Sequence, residues 1–280
     1  MSKEFFFFLH FYFLILQCSY AQRFPSVIGE YKNQGAQGMA IYGTTAYILY
    51  NTGYCRMYNL RKKEPLAAFK LASANNNNHS NCASFGMEKI EGKPLIYVSE
   101  CKKPFRCFVE YVKDSSSVLI QIIQLKRKGV DSVAHDWVVD RKTKSLYTVA
   151  RRGYKSNDTT YTCAHRINRY RLPSIEEGDK IYLTDRDMID SYDVLFPNVL
   201  QGATIKGKYM YLPTGLNKGH EKRKDHQRAL FVVNLKTHLI ERKIDLTNIT
   251  DKEPEDCDFY KGKLLLLCGQ SNELYEIPTK

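Results

Sequence analysis

The sequence predicts an all-β protein with the architecture of a five-bladed β-propeller. Short runs rich in β-branched and aromatic residues recur between turns of Gly, Asn, Asp and Lys, and helical periodicity is hard to find. The 20 Tyr and 14 Phe residues against a single Trp also favour β-structure. The runs repeat in units of about fifty residues, which is the size of a propeller blade. A two-sheet β-sandwich is the alternative fold, but it does not account for the repeat.

Each of the five repeat units opens with a polar residue that can be aligned with the others. These opening residues are Gln37, His79, His135, Gln201 and Glu255. Polar insertions at residues 75–78, 151–161 and 217–228 make the spacing irregular, and we interpret them as surface loops. The five units together use the whole chain after the first 21 residues, so we predict a single propeller domain over residues 22–280.

A propeller must close its ring, and a short strand-like run before the first unit is suited to do so. Residues 26–31, SVIGEY, can add the outer strand to the last blade, which has no further sequence of its own after Lys280. The alternative is a frayed N-terminus.

The first 21 residues have the pattern of a secretory signal peptide. The apolar run FFFFLHFYFLIL at residues 5–16 is too short for a membrane-spanning helix, which needs about 20 residues. Small residues, Ser19 and Ala21, stand at the −3 and −1 positions of a cleavage site after Ala21. We therefore expect a secreted, periplasmic or cell-surface protein. The alternative is a lipoprotein anchored through Cys18, although the bulky Gln17 does not suit a lipobox.

Export to an oxidising compartment allows disulfides among the remaining seven cysteines. Cys101 and Cys107 stand at the two ends of the loop KKPFR between two strand-like runs, so we predict that they are bonded. Cys257 and Cys268 flank another hairpin and form a weaker second pair. The odd number leaves at least one thiol free or bonded to another molecule.

Two stretches of the chain resemble the glutamine cyclotransferase family of secreted propellers. The first unit, QGMAIYGTTAYILYNTGYCRMYNL, looks like the first blade of that family, and EPEDCDFYKGKLLLL followed by NELYEI is similar to its last blade. The resemblance implies a propeller fold, secretion and cyclotransferase activity. The middle units open differently, with HSNCASFG and AHDWVVD in place of an acidic E-G pair. A second resemblance is to exported bacterial propellers of unassigned activity.

The first strand of each blade lines the central channel of a propeller, so residues that open these strands meet at one rim. We predict that a ligand-binding mouth is formed there by Gln37, His79, Asn81, His135, Asp136, Gln201, Glu255 and Asp256. Imidazoles and carboxyl groups together can bind a divalent cation or act as acid and base. The alternative is a hydrated seam between blades with no ligand. Asp258 and Asp140 are interpreted as turn or strand-end residues, and Trp137 as core.

The formal net charge of +12 is spread over several short basic runs in predicted turns. A solvated protein surface accounts for these runs. A more specific interpretation is that they attract an acidic glycan or an anionic envelope surface. A nucleic-acid partner is not expected for an exported chain. No P-loop, GxSxG, HExxH or GxGxxG motif occurs in the sequence.

These observations together predict an exported propeller that binds a small polar or glycan-like ligand, or a partner, at its channel mouth. The alternative is an enzyme that uses His and carboxyl groups at the same mouth, either for cyclotransferase-like acyl transfer or as a glycan hydrolase or lyase. A structural interaction scaffold is a further alternative. The sequence does not identify a cofactor, although a divalent metal is compatible with the mouth.

Overall fold

The structure, a computed structural model, describes residues 22–27, 34–76, 78–128, 132–152, 164–269 and 273–279. Five small sheets are arranged around a central channel as a five-bladed β-propeller, which confirms the predicted fold class. The predicted signal peptide at residues 1–21 lies outside the described residues. No helix in the described part of the chain is long and apolar enough to cross a membrane.

Each blade is an antiparallel sheet whose strands follow the chain from the channel to the outer edge. The first blade contains β2 (Ala36–Tyr42), β3 (Thr45–Tyr50), β4 (Tyr54–Asn59) and β5 (Glu64–Lys70). The second contains β6 (Ser80–Ile90), β7 (Lys93–Glu100), β8 (Cys107–Lys113) and β9 (Ser116–Leu125). The third contains β10 (Asp136–Asp140), β11 (Ser145–Arg151), β12 (Ala164–Arg171) and β14 (Met188–Leu195).

The last two blades follow the same plan. The fourth contains β15 (Thr204–Lys206), β16 (Tyr209–Thr214), β17 (Ala229–Asn234) and β18 (Ile240–Asp245). The fifth contains β19 (Pro254–Tyr260), β20 (Lys263–Cys268), β21 (Glu273–Ile277) and, at its outer edge, β1 (Gln22–Val27). A short 3-10 turn, Ile175–Glu177, precedes β13 (Lys180–Leu183), which pairs in parallel with β9 and gives the second blade a fifth strand.

The N-terminal strand β1 closes the ring, as the sequence predicts. It pairs antiparallel with β21, with Gln22 opposite Glu276 and Phe24 opposite Leu274. The closing strand is Gln22–Val27 rather than residues 26–31, of which residues 28–31 lie outside the described part of the chain. The prediction of closure is therefore confirmed, but the closing strand begins four residues earlier in the chain than predicted.

An apolar core fills each interface between neighbouring blades. Trp137 is completely buried between the second and third blades, which confirms its predicted role in the core. Facing strands such as β20, with the sequence KLLLLC, supply apolar side chains to both sides of their blade because both faces are covered. Burial of each large side chain contributes about 1.5–3 kcal/mol, and these interfaces hold the ring together.

The predicted disulfide between Cys101 and Cys107 is absent, because both cysteines are free thiols in the structure. The two feet of this loop are Glu100 and Arg106 instead, joined by a backbone hydrogen bond of 2.8 Å and by two contacts of 2.7 Å between guanidinium and carboxylate. Cys107 pairs with Ser99 across the hairpin and its side chain packs in the core between blades. Cys257 and Cys268 are also free.

The strand order gives the propeller two different faces. The upper face is the one where the innermost strands begin, and it carries the connections between second and third strands and the links between blades. The lower face carries the turns between first and second and between third and fourth strands. By this order the described residues of the polar insertions at 75–78 and 217–228 belong to the upper face, while most of the insertion at 151–161 lies outside the described residues. The channel mouth on this face is hereafter called the upper mouth.

Candidate functional site at the upper mouth

Strand-opening residues of three consecutive blades are hydrogen-bonded to one another at the upper mouth. Asn81, near the start of β6, donates from Nδ2 to Asp136 Oδ1 at 2.7 Å, and Asp136 is the first residue of β10. The same amide nitrogen donates to the carbonyl oxygen of Gln201, which lies shortly before β15. The second, third and fourth blades are joined by this single side chain, as expected from the aligned repeat.

The fifth blade joins this network through its two consecutive acids. Gln37 Nε2 of β2 donates to Glu255 Oε1 at 3.4 Å. Asp256 Oδ2 accepts from the backbone N–H of Met39 at 2.8 Å and from that of Ala83 at 3.2 Å. Asp256 is therefore committed to backbone groups of the first two blades, whereas Glu255 lies at the mouth with one long hydrogen bond from an amide.

The two predicted histidines lie in the links that border the mouth. His79 is half-buried, and its Nδ1 lies 2.7 Å from Asn51 Oδ1. His135 is also half-buried, with its ring centroid 5.8 Å from that of Phe105. Desolvation by burial lowers the pKa of both histidines to about 4. Both imidazoles are therefore neutral at physiological pH and can donate or accept one hydrogen bond at each nitrogen.

Burial makes the carboxyl groups of the mouth weak acids. It raises the pKa of Asp136 to about 7, against the opposing effect of the Asn81 hydrogen bond. Burial also raises the pKa of Glu255 and Asp256 well above the ordinary range, and the neighbouring acids raise both further. The mouth thus collects several carboxyl groups whose charge is costly, an arrangement typical of functional sites.

Sequence reasoning missed one acid of this group, Glu253. Its Oε1 accepts a hydrogen bond of 2.6 Å from Nε2 of Gln201, whose amide also donates to the carbonyl oxygen of Gly215 at 2.7 Å. Burial raises the pKa of Glu253. The signal was present in the run EPED, because residues two apart on an extended segment point the same way and Glu253 precedes Glu255 by two.

Glycines let the inner strands approach one another at the mouth. A Cβ atom on Gly202 would stand 2.6 Å from both Asp256 Oδ1 and the carbonyl oxygen of Glu255. A Cβ on Gly269 would lie 2.0 Å from Glu255 Oε1. The Gln-Gly pairs at residues 37–38 and 201–202 therefore each combine a polar side chain at the mouth with a glycine that lets a neighbouring strand approach closely.

The interpretation of Asp258 as a turn or strand-end residue was wrong. Asp258 lies inside β19, where its Oδ2 accepts from the backbone N–H of Ile41 at 2.7 Å and its Oδ1 from Thr204 Oγ1 at 3.2 Å. It joins the fifth blade to the first and fourth blades, two residues further along β19 than Asp256. Asp140 does end its strand and caps the following turn, where it accepts from the backbone N–H of Lys142 at 2.9 Å.

Oδ2 of Asp136 is a buried polar atom at the mouth that has no partner among the described residues. The Asp136 side chain is completely buried, so an unmet acceptor there is costly. A ligand group or a water that donates a hydrogen bond would satisfy it. No cluster of three or more His, Cys, Asp or Glu side chains in the described ranges has an arrangement that holds a metal ion.

Comparison with known proteins finds similarity at the level of solved structures. No model of a known protein family matches the chain, and no curated protein matches it. The chain is similar to the crystal structure of glutaminyl cyclase from Myxococcus xanthus, with a TM-score of 0.55 and 10% identity, over 92% of this chain and 94% of that one.

Two further solved structures are similar at lower scores. Hydrazine synthase of Kuenenia stuttgartiensis has a TM-score of 0.43 and 13% identity over 82% of this chain. Raptor of Chaetomium thermophilum has a TM-score of 0.47 and 8% identity over 89% of this chain. The chain spans 61% of the former and 20% of the latter. The likeness to the glutaminyl cyclase extends over nearly the whole of both chains, and at this identity what it shows is a shared propeller fold.

Proposed function

We propose that the protein is a ligand-binding propeller whose upper mouth takes a small polar molecule that carries a protonated amine. The observation that carries this proposal is the unpartnered Oδ2 of Asp136, a buried acceptor whose other oxygen is fixed by Asn81. An ammonium group donates several hydrogen bonds and supplies the positive charge that would compensate a buried carboxylate.

The charges around the mouth support an amine as the recognised group. Glu253 and Glu255 are further acceptors of the mouth, Glu253 being linked to Asn81 through Gln201, and the two imidazoles are neutral. A cation bound at the mouth lowers the pKa of the neighbouring carboxyl groups, and the carboxylates that result attract the cation. Binding of the amine and deprotonation of the acids therefore favour each other. The amides of Gln37 and Gln201 already bond to Glu255 and Glu253, which holds those carboxyl groups in place.

Calorimetric titration with glycylglycine and with the neutral disaccharide cellobiose tests the proposal. We expect binding of the amine-bearing probe and at least a tenfold loss of affinity, about 1.4 kcal/mol, in Asp136→Asn and Glu255→Gln. The control is Asp251→Asn, because Asp251 lies in the exposed link before the fifth blade and bonds only to Lys252 among the described side chains. Binding of cellobiose alone, or equal binding by all variants, would contradict the proposal.

Cyclotransferase activity is a second candidate, which the likeness to a glutaminyl cyclase over nearly the full length of both chains favours. In such a reaction the α-amino nitrogen of an N-terminal glutamine attacks its own side-chain carboxamide carbon, and ammonia leaves. Burial keeps Glu255 protonated, so it can donate a proton to the departing nitrogen. Release of ammonia from a glutaminyl peptide, lost in Glu255→Gln, is the expected result. If no more ammonia is released than in buffer without protein, ligand binding is left as the proposed function.

A further inference from the structure

The lower face of the propeller has its own pattern of charge, unrelated to the upper mouth. Every inner turn on this face except that of the first blade carries exposed basic residues beside the channel. These exposed residues include Lys93, Arg141, Lys144, Lys206, Lys208 and Lys261. Because first-to-second-strand turns all point the same way in a propeller, they form one basic ring, hereafter the lower ring.

Among the described residues, only one of the six named members of the lower ring, Lys93, is ion-paired with an acidic side chain. Glu91 is held by Lys113 at 3.1 Å and by the Tyr111 hydroxyl at 2.8 Å. Asp114 lies 3.4 Å from Lys93. Within the described part of the chain, Arg141, Lys144 and Lys261 form no ion pair at all. Positive charge therefore accumulates around the lower opening of the channel.

Several cations of the upper face are, by contrast, held in ion pairs. Arg106 bonds to Glu100 at 2.7 Å, and Arg151 and Arg223 both bond to Asp225, at 3.1 and 2.9 Å. The two faces thus use their basic residues differently. On the upper face many of them brace loops, whereas five of the six named residues of the lower ring form no ion pair within the described part of the chain.

We propose that the lower face docks on a membrane surface that contains anionic lipids. The lower ring consists mostly of lysines, whose compact hydrated charge suits diffuse attraction better than the paired geometry that arginine offers to a single phosphate. The turns that carry the lower ring all lie on this one face, so an extended surface can contact them together. Leu239, in an outer turn of the same face, is 64% exposed and can contact the interface between headgroups and lipid tails.

Sedimentation with vesicles tests this docking. The wild-type chain should bind vesicles of phosphatidylcholine with phosphatidylglycerol, should not bind phosphatidylcholine alone, and should be released by salt. The triple variant Lys144→Gln, Lys208→Gln, Lys261→Gln should lose at least about tenfold in partition coefficient, since each lysine near an anionic surface contributes to binding.

A variant with the same change in net charge on the other face is the matched control. Lys102, Lys222 and Lys224 are exposed in upper connections, and their replacement by Gln should leave vesicle binding unchanged. Equal losses in both triple variants would mean attraction by net charge alone and would overturn the proposal. Failure of the wild-type chain to bind anionic vesicles would also overturn it, including the case in which heparin binds instead. Melting curves of both variants show whether the fold is retained.

Discussion

The carboxyl group of Asp256 accepts a hydrogen bond of 2.8 Å from the backbone N–H of Met39, which joins the last blade directly to the first at the channel. The same oxygen accepts from Ala83 N–H in the second blade at 3.2 Å. The ring is therefore closed twice, by this contact at the axis and by the pairing of β1 with β21 at the outer edge. One side chain satisfies backbone donors that no neighbouring strand can reach.

We expect Asp256→Ala to be strongly destabilising, because it leaves the buried N–H groups of Met39 and Ala83 without an acceptor. Each unmet buried donor costs about 1–3 kcal/mol, so the free energy of unfolding should fall by about 2–5 kcal/mol. Denaturant unfolding measures the change. In the control, Asp251→Ala, the exposed carboxylate touches only Lys252 and the expected change is within about 0.5 kcal/mol. Equal stability of the two variants would contradict the bridging role of Asp256.

Gly202→Ala should also destabilise the channel. The added Cβ would meet Asp256 Oδ1 and the carbonyl oxygen of Glu255 at 2.6 Å, and overpacking of this kind costs about 1–3 kcal/mol. Gly207→Ala is the comparison, because Gly207 has open space around it and a φ of +67°, so only a backbone cost of about 1–2 kcal/mol applies. Loss of ligand binding, or of any activity at the mouth, should accompany Gly202→Ala and not Gly207→Ala.

The cleavage site predicted from the sequence fixes where a mature chain would begin. Cleavage after Ala21 would make Gln22, the first residue of β1, the N-terminus. The mass of the N-terminal peptide should then correspond to Gln22, or to that mass less one ammonia if the terminal glutamine cyclises. Deletion of residues 22–27 should lower the melting temperature and promote association, because β21 becomes an exposed edge. An unchanged melting curve would show that β1 contributes nothing.

The repeat predicted the fold and much of the mouth, since alignment of opening residues brought Asn81, Asp136 and Gln201 to one place. It did not separate the roles of Glu255 and Asp256, because the pairing of Asp256 with the first two blades depends on distances between strands far apart in sequence. Asp258 was misjudged for the same reason. The disulfide was predicted from loop ends alone, and a one-residue difference in hairpin register places Glu100 and Arg106 there instead.

That register leads to a prediction about the thiols. In unreduced protein unfolded with denaturant, both Cys101 and Cys107 should react with an alkylating reagent, because neither is bonded in the structure. Peptide mass mapping gives the answer. Before unfolding, Cys107 should react much more slowly, since it is completely buried and burial raises the pKa of its thiol. A peptide that links the two cysteines would contradict this prediction and show that they oxidise to a disulfide in the protein.

The buried acid Asp136 should make stability depend on pH. Burial raises its pKa to about 7, above the value near 4 of an unfolded chain. The folded state therefore holds a proton that the unfolded state releases, so this contribution is complete below pH 4 and is lost as pH rises towards 7. At 1.36 kcal/mol for each unit of pKa, the loss is about 4 kcal/mol at most. Chemical unfolding between pH 4 and 8 measures it.

Asp136→Asn should reduce this dependence between pH 4 and 7 without abolishing it, because Asn keeps an acceptor for Asn81 and cannot ionise, while burial also raises the pKa of Glu255 and Asp258. Asp193→Asn is the control of opposite sign. The hydrogen bond from Arg166 lowers the pKa of Asp193, so its contribution is present above pH 4 and lost in more acidic solution. Its removal should change stability without altering the slope from pH 4 to 7. If Asp136→Asn retains the wild-type slope there, Asp136 does not lose a proton between pH 4 and 7 in the folded protein, and the prediction is wrong.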